Sequence, residues 1–424
     1  MAFSLLLVCI ALLFNRPGDW LPALAGLPLF QIAILGCLSL SLSEFLSQLQ
    51  TTSAARTPIS VCINGLLVLV ILSGLVHGSS LDVISTFTKA WVLYFLVLAL
   101  VNSLHRLQVI LVGTAVSIFG IGLLMVLDHH TGMFGGISVI ESGDGLRAEA
   151  VGGANFDAND TAALLVIAVL IFLATTIDSR SIILRCACTA LAVVSLHAIQ
   201  LCNSRSSLLA LMAGLATYVY LRWGKKGLKW GALLLPVFAA FVATDRMANI
   251  GGAVQHGTGQ GRMQFWSMGL SLFFRNPILG IGPGEFVNHV GKACHNSFVQ
   301  AFTELGILGG ALFVGAFYLA ITSSMQLVNN SSDDRSNQPS PDLLLFVIPA
   351  ILVAYSVSIL TLNHLFSCHT YLLLATSTAA PLIYGLSERE ETANTESSLA
   401  GRLGAVTCVF LIVTYVGCLT LVQW

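Results

Sequence analysis

Three stretches of the chain hold residues whose types and spacing suit chemistry. His295-Asn296-Ser297 opens an apolar helix, whose first amides lack intrahelical acceptors and carry the positive end of the helix dipole. That end attracts an anion and disfavours an imidazolium, so His295 is read as a neutral, proton-accepting group suited to general-base work. The plainer alternative is a capping or packing histidine. Asn203-Ser204-Arg205-Ser206-Ser207 has the same character, with a guanidinium set beside free amides at another helix start. Two such ends, brought together, would clamp a pyrophosphate.

The third stretch, Gly261 to Pro277, reads GRMQFWSMGLSLFFRNP, with Arg262 near its start and Arg275 near its end. Its aromatic and apolar content predicts a helix lying on a membrane surface, where either arginine holds a lipid phosphate or simply anchors at the headgroups. The LGIGPGEF run that follows, Leu279 to Phe286, lacks the GxxxxGK[ST] pattern and a preceding strand, so it predicts a sharp re-entry turn rather than a nucleotide loop. Glu304 falls inside an apolar run and needs a partner, either an outer-face arginine or a proton relay.

Metal binding is not expected. Asp157 and Asp160 have a ligand-like spacing, but Asn159 or Asp160 directly precedes an apolar run and reads more simply as its N-cap. His129-His130 and His364 with His369 have no carboxylate nearby in sequence. The cysteines show no zinc or disulfide pattern and are expected to be free thiols, with Cys202, Cys294 and Cys368 nearest the outer face.

The elements that position these residues follow from composition. Of 424 residues, 56% are hydrophobic and 9% charged, against roughly 25% charged in soluble domains, so the chain is an integral membrane protein. A formal net charge of -1 leaves no basic excess for phosphate backbones, which argues against nucleic acid as a partner. Long unalternated apolar runs exclude an outer-membrane barrel and leave an all-α polytopic bundle. Runs of roughly 20 apolar residues predict about 12 or 13 spans. Their centres lie near Leu7, Ile32, Val68, Phe95, Val116, Ile167, Val193, Met212, Leu235, Leu312, Leu352, Leu374 and Ile412, in one integral membrane domain over 1–424.

Two longer connections, residues 129–160 and 244–297, hold most of the residues above. With the N-terminus in the cytoplasm, Arg106, Arg180, Arg185, Arg222, Lys225, Lys226, Lys229 and Arg402 lie inside, as the positive-inside rule asks. Both long connections then face outward. Arg16, Lys89, Arg147, Arg205, Arg246, Arg262, Arg275 and Lys292 are left on the outer side against that bias, so each needs a reason to be there, which for Lys89 is snorkelling from a helix end. The first apolar run has no basic n-region or cleavage site and is expected to be retained as a span.

Gly261-Arg262, Trp266, the LGIGPGEF turn and His295-Asn296-Ser297 through Glu304-Leu305-Gly306 together resemble the signature region of the O-antigen ligase and O-antigen polymerase superfamily, here spanning 203–322. Asn203-Ser204-Arg205-Ser206-Ser207 is similar to its upstream arginine motif, Arg147 with Gly152-Gly153 and Asn159-Asp160 to its preceding loop, and Arg16-Pro17 to its opening turn. The resemblance implies a GT-C-like membrane glycosyltransferase, inverting and free of metal or other cofactor, acting at the periplasmic face of a bacterial inner membrane. Its donor would be an undecaprenyl-pyrophosphate-linked glycan, and its acceptor a hydroxyl of a glycan, of lipid A-core or of a protein.

Carried over by motif, Arg205 and Arg262 hold the donor pyrophosphate and His295 sits near the acceptor, with Arg147 and Arg275 as further candidates for the donor. The short 244–297 connection leaves little room for a separate acceptor-binding domain. Polymerase, ligase and O-oligosaccharyltransferase to protein share this chemistry, with polymerisation preferred for a chain without elaborated outer loops. A transporter or flippase for the same lipid-linked glycan is the competing class. Transporters commonly show repeated halves and a charged midplane site, whereas this sequence shows no internal repeat and gathers its unusual charges at the outer rim.

Overall fold

The computed structural model describes residues 1–52, 56–134, 139–142, 145–151, 157–233, 258–333, 343–384 and 396–422. In chain order the first helices are α1 (Ala2–Asn15), α2 (Pro17–Trp20), α3 (Leu29–Leu40), α4 (Leu42–Gln50), α5 (Pro58–His77), α6 (Leu81–Leu100) and α7 (Leu104–Thr131). After the strands β1 (Val139–Ser142) and β2 (Gly145–Ala148) come α8 (Ala158–Asp178), α9 (Ile182–Cys202), α10 (Arg205–Leu233) and α11 (Thr258–Arg275). The chain closes with α12 (Phe286–Val290), α13 (Ser297–Asp333), α14 (Leu343–Ile359), α15 (Cys368–Ile383) and α16 (Glu396–Leu421).

The protein is thus a helical, polytopic membrane protein. Among the described residues eight helices are long and apolar enough to cross a membrane, and α3 with α4, bent by 77°, would make a ninth. Every expected span centre falls inside a helix except Leu235, which lies outside the described residues. The lower number follows from length and charge. Leu352 and Leu374 sit in helices of 17 and 16 residues, short of the roughly 20 a span needs, and α10 ends in the basic stretch around Lys225 and Lys226. The sequence reading also missed a hairpin: β1 and β2 pair antiparallel, with Val139 opposite Ala148 and Ile140 opposite Arg147.

The chain divides into two compact units, each drawn from separated stretches. One comprises Met1–Cys37, Leu104–Ile250 and Met325–Ser358; the other comprises Leu38–Ser103, Gly251–Ser324 and Ile359–Trp424. In the first unit α8 is the central helix, an almost unbroken apolar run that packs against α7, α9 and α10. Small residues permit the close approach that packs helices in lipid. A Cβ on Gly122 of α7 would stand 2.7 Å from Leu165 of α8. At the far end of α8, Asp178 pairs with Arg222 of α10, whose guanidinium also lies 5.5 Å from the ring centroid of Phe346. The guanidinium is thereby neutralised and packed where it is mostly removed from solvent.

In the second unit α6 packs against α15, α5 and α4. The Tyr94 hydroxyl is fully buried there, 2.8 Å from Ser60 Oγ and 3.0 Å from Thr378 Oγ1, so its polar tip is satisfied and the ring packs in apolar surroundings. Helix α11 packs against α16 and α12.

Candidate active site

In the first unit the Arg205 motif begins where α9 ends. Asn203 adopts the left-handed conformation, with φ 50°, and turns the chain so that α10 starts two residues later at Arg205. Asp157 caps α8, its carboxylate accepting the Asn159 N–H at 2.6 Å and the Asp160 N–H at 2.9 Å. The cap is therefore Asp157, ahead of the expected Asn159 or Asp160.

That arrangement frees the Asn159 side chain to join the two helix starts. Its Oδ1 accepts from Arg147 Nη2 at 2.8 Å and from the buried Ser204 hydroxyl at 3.0 Å, and Ser204 Oγ lies 3.1 Å from Ser207 Oγ. Arg147 also donates from Nε to the Cys202 carbonyl at 3.0 Å, satisfying an acceptor at the end of α9. Arg147 is thus tied to the Arg205 turn. Burial pushes the adjacent Glu149 carboxyl above its usual range; Asp157 adds to the rise and Arg147 opposes it. Arg205 itself is half-buried at the first position of α10. Gly152, Gly153 and Arg246 lie outside the described residues.

In the second unit His295 stands at φ 51° immediately before α13. Its N–H donates to Asn363 Oδ1 at 2.9 Å, and its carbonyl accepts from Trp266 Nε1 at 3.4 Å. Asn296 caps α13, with Oδ1 accepting the Phe298 and Val299 N–H groups at 3.1 and 3.2 Å. Ser297 is buried; its hydroxyl donates to the Leu362 carbonyl and accepts the His364 N–H, both at 2.8 Å. So His295-Asn296-Ser297 is pinned to the segment that connects α14 with α15.

Arg262 lies on α11 four residues before Trp266, hence on the same face and one turn away. Gly269 and Phe273 continue that stripe, and it is the packed one. A Cβ on Gly269 would stand 3.0 Å from Phe286, Val299 and Thr303, while the Phe273 ring lies 5.6 Å from that of Phe302. The helix expected to lie on a membrane surface therefore seats one face on α13 and leaves Phe274 and Arg275 exposed on the other. Arg275 is 13 residues from Arg262 on one helix, so the two stand roughly 20 Å apart along the axis and on different faces. A single pyrophosphate does not bridge that separation.

The LGIGPGEF run is a succession of turns, as expected, and its role is to clasp a broken helix. Gly306 interrupts α13 at φ 71°, ψ −167°, a region open essentially to glycine alone, and a Cβ there would stand 2.1 Å from the Ile278 carbonyl oxygen. Gly280 faces the same crossing, where a Cβ would meet the Glu304 carbonyl carbon at 2.3 Å. Ladder bonds run between the two backbones, Ile281 N–H to Thr303 O at 2.9 Å, Gly282 N–H to Glu304 O at 3.1 Å and Ile307 N–H to Pro277 O at 2.8 Å.

Glu304 completes the clasp. Its carboxylate accepts from the Gly284 N–H at 2.9 Å, the Phe286 N–H at 3.3 Å and Gln300 Nε2 at 3.3 Å. Backbone amides of the turn and Gln300 supply its partners, where the sequence offered an outer-face arginine or a proton relay. Gly306→Ala is expected to lower stability by about 2 kcal/mol or more through left-handed strain and the carbonyl clash. Thermal unfolding of the detergent-solubilised protein measures this, with Gly404→Ala as the control, since a Cβ at Gly404 meets nothing within 4 Å.

The sequence reading singled out Arg147, Arg205, Arg262 and His295 and placed Asn159 in the same loop motif as Arg147 and as a cap, but did not single out Asn363. In the first unit Asn159 bonds Arg147 and also Ser204, the residue before Arg205; in the second Trp266 bonds the His295 carbonyl and lies one turn from Arg262. Two further histidine pairs meet: His130 Nε2 lies 3.0 Å from His197 Nε2, and the rings of His364 and His369 meet edge-on at 4.4 Å. All ten cysteines are free, and Cys202, Cys294 and Cys368 are buried rather than open to the outer face. Burial pushes the Cys294 thiol well up.

Fold and composition define a multi-pass helical membrane protein. Residues 190–314 match the family model described as O-antigen ligase, a span that contains Arg205, Arg262, the LGIGPGEF turn and His295. The match supports the O-antigen ligase and O-antigen polymerase superfamily, and with it a glycan-transferring function of that general type. Comparison with curated proteins found no match.

Proposed function

We propose that this protein polymerises surface polysaccharide, transferring a glycan from undecaprenyl pyrophosphate to a glycan hydroxyl at the periplasmic face of a bacterial inner membrane. The observation that carries the reading is His295 just before the Asn296-capped N-terminal end of α13, its peptide held on both sides, with Arg262 one turn from the tryptophan that holds it. A neutral imidazole at a positive helix end accepts a proton rather than donating one.

In the proposed reaction His295 takes the acceptor hydroxyl proton as that oxygen attacks the donor's anomeric carbon. The bond from that carbon to the phosphate oxygen breaks on the opposite face, so configuration inverts. Negative charge gathers on the departing pyrophosphate, where the Arg262 guanidinium stabilises it as it develops. Arg147 orients the Arg205 turn through Asn159, and Arg275 is assigned to headgroup phosphates. No metal is assigned a role.

Deleting the gene and resolving surface polysaccharide on a gel tests the assignment. Single repeats in place of long chains are expected. Long chains retained on the carrier lipid would instead make the protein a ligase, and loss of glycan from protein alone would make it an O-oligosaccharyltransferase. Unchanged polysaccharide and protein glycosylation would overturn the glycan-transfer reading.

A further inference from the structure

The reading of His295 as the acceptor base, on which this inference rests, requires that the imidazole be aimed at one place. We propose that Asn363, on the segment between α14 and α15, is a positioning residue that holds His295 in its working conformation. Residues bearing a Cβ adopt positive φ rarely, and such conformations persist where the surroundings over-determine them. Among the described residues only Arg16, Asn203 and His295 do so outside glycine. Asn203 has an ordinary reason, as the left-handed end of α9. His295 does not end a helix; it precedes one.

The surroundings of His295 supply the missing constraint. Asn363 Oδ1 accepts the His295 N–H at 2.9 Å across 68 residues of sequence, and Trp266 fixes the carbonyl on the other side of the residue. With N–H and C=O both held, φ and ψ are held, and so is the direction of the Cα–Cβ bond that carries the imidazole. The Asn363 segment is itself rigid. Ser297 bridges the Leu362 carbonyl and the His364 N–H, Thr370 Oγ1 donates to the His364 carbonyl at 2.7 Å, and Tyr371 Oη donates to the Leu365 carbonyl at 2.8 Å. Asparagine suits the position because it accepts a hydrogen bond without placing a charge beside a base that must stay neutral.

The experiment compares Asn363→Leu, Asn363→Asp and His295→Ala in the full-length protein, reconstituted in nanodiscs with a lipid-pyrophosphate-linked glycan and an acceptor glycan. Donor affinity and single-turnover transfer are measured across pH. Asn363→Leu removes the acceptor at similar size, and transfer should fall about 100-fold with donor affinity unchanged, the scale of loss for a misplaced catalytic group. Asn363→Asp keeps the acceptor and adds a carboxylate, which favours the imidazolium, so the acid limb of its rate profile should move to higher pH. A purely structural role would reduce folded yield and leave that profile where it is.

Wild-type transfer by Asn363→Leu while His295→Ala is impaired would overturn the positioning role and leave the base assignment standing. Should Asn363→Leu fail to fold, an unshifted profile in Asn363→Asp overturns it equally. Normal transfer by His295→Ala would remove the base assignment itself, and the two failures are told apart by that variant alone.

Discussion

His295→Ala is expected to bind lipid-linked donor as the wild type does and to transfer glycan about 10²- to 10⁴-fold more slowly, the usual cost of losing a general base. The expectation follows from where the residue stands. Its neighbours Asn296 and Ser297 cap and pin α13 through their own side chains, whereas the His295 backbone, not its imidazole, makes the bonds to Asn363 and Trp266. Alanine keeps both of those backbone groups, so the fold around the site should persist. The effect should fall on turnover because the acceptor proton is transferred in the transition state and not on donor binding. Measurement of donor affinity by titration and of transfer by single turnover separates the two. Loss of both together would indicate a structural role for the imidazole.

Arg262→Ala should behave differently, weakening donor binding and slowing transfer. A guanidinium on the pyrophosphate contributes before bond cleavage and more during it, as charge develops on the leaving group. Removing one such donor typically costs on the order of 10²- to 10³-fold in rate. Arg262→Lys should recover only part of the loss, since one ammonium cannot reproduce the planar two-pronged contact. The same pair of substitutions at Arg275, exposed at the opposite end of α11, should leave donor affinity near that of the wild type. Equal losses at Arg262 and Arg275 would mean that both act by general attraction to anionic lipid.

The class of fold was legible in composition, because apolar runs of membrane length have no other stable use. Individual helices were legible for the same reason. The helices around Leu352 and Leu374, of 17 and 16 residues, lie at the short end of span length, and hydropathy alone does not show where such helices begin and end. Local signals located Arg205 and His295, since each is a polar motif interrupting an apolar run at a helix start.

What sequence could not show were contacts that join distant segments. Asn363 meets His295 across 68 residues, Asn159 meets Ser204 across 45, and neither asparagine differs in local pattern from an ordinary cap or turn residue. Glu304 was legible as a buried charge needing partners; besides Gln300 one turn earlier, those partners proved to be backbone amides, which no residue pattern records. The strands β1 and β2 escaped for a related reason. At four residues each they are too short to display an alternation.

The central claim is that His295 and Arg262 drive glycan transfer from a lipid-pyrophosphate donor. Single-turnover transfer by the purified wild-type protein and by His295→Ala, in nanodiscs loaded with lipid-pyrophosphate-linked glycan, tests it most directly. The account predicts transfer with release of the lipid pyrophosphate by the wild type and a rate lower by about 10²-fold or more in the variant at equal donor occupancy. Equal rates in the two proteins at equal occupancy, or no transfer by the wild type with any hydroxyl acceptor, would contradict it.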